Sequence, residues 1–150
     1  MIVEALAALA LLPGSAHAAG GAATFVGKSD QGLPASAVVR KGKIDRIKLR
    51  WSAPCSISGW VWGPQGTIWF NRQPGPFDVS GKRFSDQGQV ERPFQIGKVV
   101  MDQKLSGRVG AHAITGVQSS TVRLFDAAGT KQDECSSKVH FRVAPKKPGG

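Results

Sequence analysis

Cysteine, histidine and acidic side chains are scarce in this 150-residue chain, and no apolar run reaches the length of a membrane span. Each shortage excludes something. The two cysteines, Cys55 in APCSIS and Cys135 in DECSSK, have no second ligand at zinc spacing, so no metal is expected. Of the three histidines, His17 lies in the N-terminal segment, leaving His112 and His140 for general base chemistry. His140 alternates outward on a cationic strand, and His112 sits among small residues in VGAHAITG. No spacing supports a Ser-His-Asp constellation, although geometry rather than chain order defines one. Gly27-Lys28-Ser29 imitates the end of a phosphate-binding loop, but that motif also needs a glycine five positions earlier, where Ala22 stands. A zinc-protease helix, a Gly-x-Ser-x-Gly elbow and a dinucleotide fingerprint are all missing. Nothing in the sequence asks for a cofactor.

Residues 5 to 12 form an apolar run about half the length of a membrane span, followed by Pro13, Gly14 and the small-residue ending Ala16-His17-Ala18. That is the layout of a secretory signal, expected over 1–18 with a linker over 19–23, although its first residues carry Glu4 and no Lys or Arg. The remaining 132 residues suffice for a single domain with its own core, expected over 24–143. The ending APKKPGG buries nothing, so 144–150 reads as a disordered basic tail. An exported chain with one pair of cysteines implies a Cys55–Cys135 disulfide.

What is abundant is positive charge. Twenty Lys and Arg stand against ten Asp and Glu, a formal charge of +10 that rises to +11 once Glu4 is removed with the signal. The cations alternate with apolar residues at a period of two, the pattern of half-buried strands. In KIDRIKLRW, residues 43 to 51, Asp45, Ile47, Leu49 and Trp51 share one face, while Ile44, Arg46, Lys48 and Arg50 share the other. VHFRV, 139 to 143, turns Val139, Phe141 and Val143 inward and His140 and Arg142 outward. STVRLF, 120 to 125, buries Val122 and Leu124 and exposes Arg123. Further strands are expected at 24–28, 35–40, 77–80, 94–101 and 105–112, the last carrying Arg108. No helical stripe follows the signal. The expected fold is all-β and antiparallel, either a β-sandwich or a partly open β-barrel. SDQG occurs at 29–32 and again at 85–88, and both copies read as turns with a glycine at positive φ.

If the outward strands are neighbours, Arg46, Lys48, Arg50, Arg108, Arg123 and Arg142 build one basic face able to attract a polyanion: a wall polymer, lipid headgroups, nucleic acid or an acidic glycan. Sequence-specific DNA reading is not expected, since there is no recognition helix or finger. SGWVWGPQGTIWF, 58 to 70, reads as a hairpin closed by GPQG, with Trp60, Trp62 and Trp69 on one face and Val61, Ile68 and Phe70 on the other. Those rings either pack over the disulfide or form an exposed platform for sugars or bases. The sequence therefore points to a non-catalytic exported domain that binds an anionic or carbohydrate-containing ligand. An enzyme, an enzyme inhibitor and a structural domain without ligand are the alternatives.

FVGKSDQGLPASAVV, the basic strand before Cys55, FDVSGKRFSDQG, LSGRVG and ECSSKVHFRV together resemble small secreted bacterial single-disulfide β-domain proteins of uncharacterised function. The resemblance spans residues 25 to 143. It implies one disulfide and an antiparallel sheet, and it carries over no catalytic residue. The chain departs from that pattern at Val109, where phenylalanine is usual, and in its Trp-rich insert over 59–70.

Overall fold

The computed structural model describes residues 21–69 and 82–147, with backbone alone for 64–69. The signal segment over 1–18, the strand expected at 77–80, the side chains of Ile68 and Trp69, and Phe70 lie outside the described residues. The eight strands are β1 (Ala23–Ser29), β2 (Pro34–Arg40), β3 (Lys43–Pro54), β4 (Val61–Trp69), β5 (Arg83–Phe94), β6 (Gly97–Val109), β7 (Ile114–Phe125) and β8 (Lys131–Pro145). They form one antiparallel sheet in the order β4-β3-β2-β1-β8-β7-β6-β5. Every strand therefore pairs with its chain neighbour except across the β4–β5 gap, and the first strand closes against the last. The sheet is a curled half-barrel, so the partly open barrel describes it and two separate sheets do not.

Curling brings β2 and β3 over β5 to β8. Ile44, Ile47 and Leu49 pack with Phe84, Leu105 and Phe141 in one cluster, and Trp51, Val99, Val122 and Val139 surround the disulfide in a second. The face assignment of β8 is as expected, with Val139, Phe141 and Val143 buried and His140 and Arg142 exposed. That of β3 is corrected at its start. The pairing with β2 slips between Val38 and Val39, leaving Asp45 without a residue opposite, and this β-bulge turns Ile44 into the core beside Ile47. Asp45 stays half-exposed and pairs with Arg40 at 3.7 Å.

The two SDQG copies adopt different structures. At 29–32 the turn forms, with Gly32 at φ 74° and its N–H donating to the Ser29 carbonyl at 2.9 Å. At 85–88 the same four residues lie inside β5, each opposite a residue of β6. That turn expectation is wrong, because Phe84 anchors the segment in the core and commits its neighbours to the ladder. Likewise, the strands expected at 94–101 and 105–112 are one strand, β6, preceded by a two-residue turn at Gln95 and Ile96. β8 runs through Ala144 and Pro145, which pair with β1, so order extends past the expected domain end at 143.

The first turn also explains how β3 and β8, separated by two strands, share a disulfide. β1 and β2 stop early, and Gln31 fills the space beyond them. Its amide donates to the Ser52 carbonyl and accepts from the Ser52 N–H, both at 2.9 Å, as a neighbouring strand would. Past this plug the longer strands meet directly, placing the Cys55 and Cys135 Cα atoms 3.8 Å apart.

Gly107 and Gly116 stand opposite one another under the rings of Phe84 and Phe141. A Cβ on Gly107 would lie 2.4 Å from both the Phe84 ring and the Thr115 carbonyl oxygen. Gly107→Ala is therefore expected to cost about 1–3 kcal/mol by overpacking, read as a lower denaturation midpoint; an unchanged midpoint would show that both the ring and the Thr115 peptide have room to move.

Candidate anion-binding face

Once apolar residues are buried on the inner side of each strand, the intervening cations must point outward, and the register decides which of them meet. Lys28 lies opposite Arg142, Arg142 opposite Thr115, Thr115 opposite Arg108, and Arg108 opposite Arg83. At the spacing of paired strands, this row across β1, β8, β7, β6 and β5 is roughly 20 Å long. It contains four cations and no acid. In the adjoining row, His140 lies opposite Val117, which lies opposite Ser106, which lies opposite Ser85. Arg83, Ser85, Ser106, Arg108, Thr115 and His140 line an open trough of about 1030 Å³. On the other side of β1 and β2, Arg46, Lys48 and Arg50 are exposed along β3, with Lys48 opposite Ser36 and Arg46 opposite Val38.

Two like-charged pairs, Arg83 with Arg108 and Lys28 with Arg142, directly oppose each other across adjacent strands, an arrangement that destabilises a sheet unless an anion intervenes. The ion pairs among the described residues are Arg40–Asp45, Lys98–Glu91, Arg123–Asp102 and Lys131–Glu134, and none of them reaches this row or Arg46, Lys48 and Arg50. Guanidinium groups with adjacent hydroxyl donors match phosphate, sulfate or carboxylate oxygens, which they can grip with two parallel bonds. Arg123 does not belong with them. It is half-buried, bonded to the Asp102 carboxylate and flanked on β8 by Glu134, so its charge is already balanced.

Of the expected site residues, Arg108 and Arg142 thus meet on one row, Arg46, Lys48 and Arg50 share their face of the sheet, and Arg123 stands apart. Sequence reasoning missed Lys28 and Arg83. Lys28 drew attention only as the end of a failed phosphate-loop motif, and Arg83 precedes the SDQG copy misread as a turn. The alternation of Arg83 and Ser85 around Phe84 is the signal that finds it. Although the trough gathers His140 with two serines, no carboxylate lines it, so the imidazole lacks the orienting acid of a Ser-His-Asp site. Among the described residues, no three His, Cys, Asp or Glu side chains are grouped to hold a metal ion.

The tryptophans are arranged differently from the expected hairpin. GPQG is no turn: β4 runs unbroken through it and pairs with β3 from Pro54 opposite Val61 to Ile47 opposite Trp69. The ladder slips between Trp51 and Ala53, opposite the Gly63-Pro64 stretch, and Gly63 takes φ 112°. An edge strand tolerates the proline because it need not donate on both sides. The reversal lies upstream, where the Cys55 N–H donates to the Trp60 carbonyl at 2.7 Å. Trp60 consequently sits in that loop, 66% exposed, while half-buried Trp62 packs on Phe94 with ring centroids 5.4 Å apart. Along the backbone Trp69 lies opposite Ile47 rather than Trp60, so the expected Trp60–Trp69 cross-strand pair is not formed. Trp51 is fully buried.

One buried carboxylate shapes the Trp60 loop. Asp133 accepts hydrogen bonds from the N–H groups of Ile57 (3.0 Å), Ser58 (3.1 Å) and Glu134 (2.8 Å), and from the Ser58 hydroxyl at 2.5 Å. The Ser58 hydroxyl above all, then the three N–H groups, outweigh the opposing effect of burial and hold the Asp133 pKa down to about 2. A carboxylate depressed in the folded state stabilises it fully above the unfolded pKa, and that contribution disappears as pH falls from about 4 to about 2. Asp133→Asn is expected to flatten this part of the acid-unfolding curve; a variant with the wild-type acid profile between those values would refute the assignment.

Compared with known protein families, with curated proteins and with solved structures, the chain matches none.

Proposed function

We propose that this protein is an exported, non-catalytic domain that binds an anionic polymer at or outside the cell envelope through the outward face of its sheet. The observation that carries this reading is the row Lys28, Arg142, Arg108 and Arg83, whose directly opposed cations have no acidic partner among the described residues. A face of this kind concentrates counter-ions and exchanges them for the charges of a polymer, so binding weakens as salt rises. The extended row suits a chain better than a small anion, because successive charges along a polymer can meet successive strands. Export is supported by the signal-like segment over 1–18 and by a disulfide compatible with an oxidising compartment. The test is retention on immobilised heparin. Wild-type protein should need high salt to elute and Arg83→Glu/Arg108→Glu should elute early; elution of the wild type near the loading salt would reject the proposal.

A further inference from the structure

A second surface, chemically unlike the first, lies at the far end of the sheet. Asp133 and Arg142 stand near opposite ends of β8, roughly 30 Å apart at the rise of a strand. Around the Asp133 end, Ile57, Trp60 and Ile96 are 71%, 66% and 83% exposed. They border a groove of about 400 Å³ that also includes Phe94 and Phe125. Exposed apolar residues on a mobile loop would need no explanation, but these are held in place. Cys55 is tied by the disulfide, the Ser56 N–H donates to the Glu134 carbonyl at 2.9 Å, and Asp133 grips Ile57 and Ser58. The Trp60 N–H donates to the Ser58 hydroxyl at 3.2 Å, and its carbonyl accepts from Cys55. Across the groove, Ile96 sits on a two-residue turn closed by the Phe94–Gly97 pair. The backbone that carries the indole is therefore already ordered by folding, which lowers the cost of binding.

The polar groups of the groove indicate what it takes. Gln132 donates to the Asp126 carboxylate at 2.7 Å and to the Thr130 carbonyl at 3.3 Å, which leaves its own amide oxygen free to accept. Gln95, beside Ile96, makes no side-chain hydrogen bond among the described residues. Planar amides and a carboxylate beside an exposed indole match a pyranose ring, with one C–H face on the aromatic surface and hydroxyls at the edge. Acyl chains would strand those polar groups without partners, and Asp126 and Asp133 disfavour a polyanion. We infer that the groove between the Trp60 loop and the Gln95–Ile96 turn binds an uncharged sugar ring, stacked on Trp60 and hydrogen-bonded through Gln95 and Gln132.

The experiment titrates isotopically labelled, oxidised protein with neutral hexasaccharides of glucose, N-acetylglucosamine and mannose, and separately with phosphatidylcholine vesicles. At least one sugar should shift the Ile57, Gln95 and Trp60 indole signals. Trp60→Ala should weaken that binding about tenfold, the loss of one stacked ring, without lowering the denaturation midpoint. Gln95→Ala should weaken it less, and Arg83→Glu/Arg108→Glu should leave it unchanged, so this site and the cationic row can fail separately. The inference is overturned if none of the sugars moves these signals at millimolar concentration, if Trp60→Ala binds like wild type, or if vesicles move the same signals and sugars do not.

Discussion

Replacing Cys55 and Cys135 together by alanine is expected to lower the unfolding free energy by about 2–5 kcal/mol, the largest stability change of any substitution considered for this chain. The bridge joins residues separated by 80 positions, and the chain-entropy model gives about 4.5 kcal/mol for closing such a loop. A domain of this size has on the order of 5–15 kcal/mol in total, so the loss is a substantial fraction of its stability. Location sharpens the expectation. β3 and β8 are not ladder neighbours; they meet where β1 and β2 have ended, at one isolated bridge and the Gln31 plug. Once the sulfurs are gone, these strand ends keep the Ser56 N–H bond to the Glu134 carbonyl, the Asp133 bonds to Ile57 and Ser58, and the packing of Trp51 against Val122 and Val139, none of them covalent. Denaturant titration of the variant should show an earlier midpoint, and the amides of Ile57 and Ser58 should exchange faster than those of β6 and β7. If the midpoint is unchanged and the loop stays protected, the packing of Trp51, Val122 and Val139 and the hydrogen bonds of Asp133 and Ser56 close this end without the sulfurs.

Affinity for a polyanion should respond still more strongly to the cationic row. Each phosphate-like contact adds a slope on the order of one to the dependence of log affinity on log salt. Arg83→Glu/Arg108→Glu should therefore lower the slope by about two and reduce affinity at low salt by two orders of magnitude or more, measured on a sulfated or phosphorylated polymer. Folding should respond in the opposite direction. Because Arg83 and Arg108 repel one another across the ladder, Arg108→Gln should leave stability unchanged or raise it by about 0.2–1 kcal/mol while weakening binding. Arg123→Gln is the contrasting variant, since its partner is Asp102: binding should persist and stability should fall. If Arg123→Gln and Arg108→Gln weaken binding equally, only net charge matters and the row has no special role.

Much of this was legible from the residues. Two cysteines with no rival ligands gave the disulfide, and the alternation in VHFRV gave the correct faces of β8, because a strand with one wet side admits only one phase. The errors cluster where the period of two breaks. A bulge at Asp45 moves Ile44 from the solvent side to the core. GPQG reads as a turn by its composition, yet an edge strand absorbs it because one of its sides need not be paired. SDQG turns at 29–32 and extends at 85–88, and the difference lies in Phe84 and the β6 ladder rather than in the tetrapeptide.

The candidate surfaces divide in the same way. That Arg46, Lys48, Arg50, Arg108 and Arg142 point outward is a matter of local alternation, which residues i and i+2 settle between themselves. That Lys28 faces Arg142 and Arg108 faces Arg83, whereas Arg123 finds Asp102, depends on register between strands distant in the chain. Register comes from the packing of two inner faces, to which outward side chains contribute little. The Trp60 loop is set by the same long-range logic, because the carboxylate that holds it belongs to β8. Composition and alternation thus determined an all-β chain with one bridge and cations on its wet side, and the tertiary contacts decided which of those cations are neighbours and which indole is left in water.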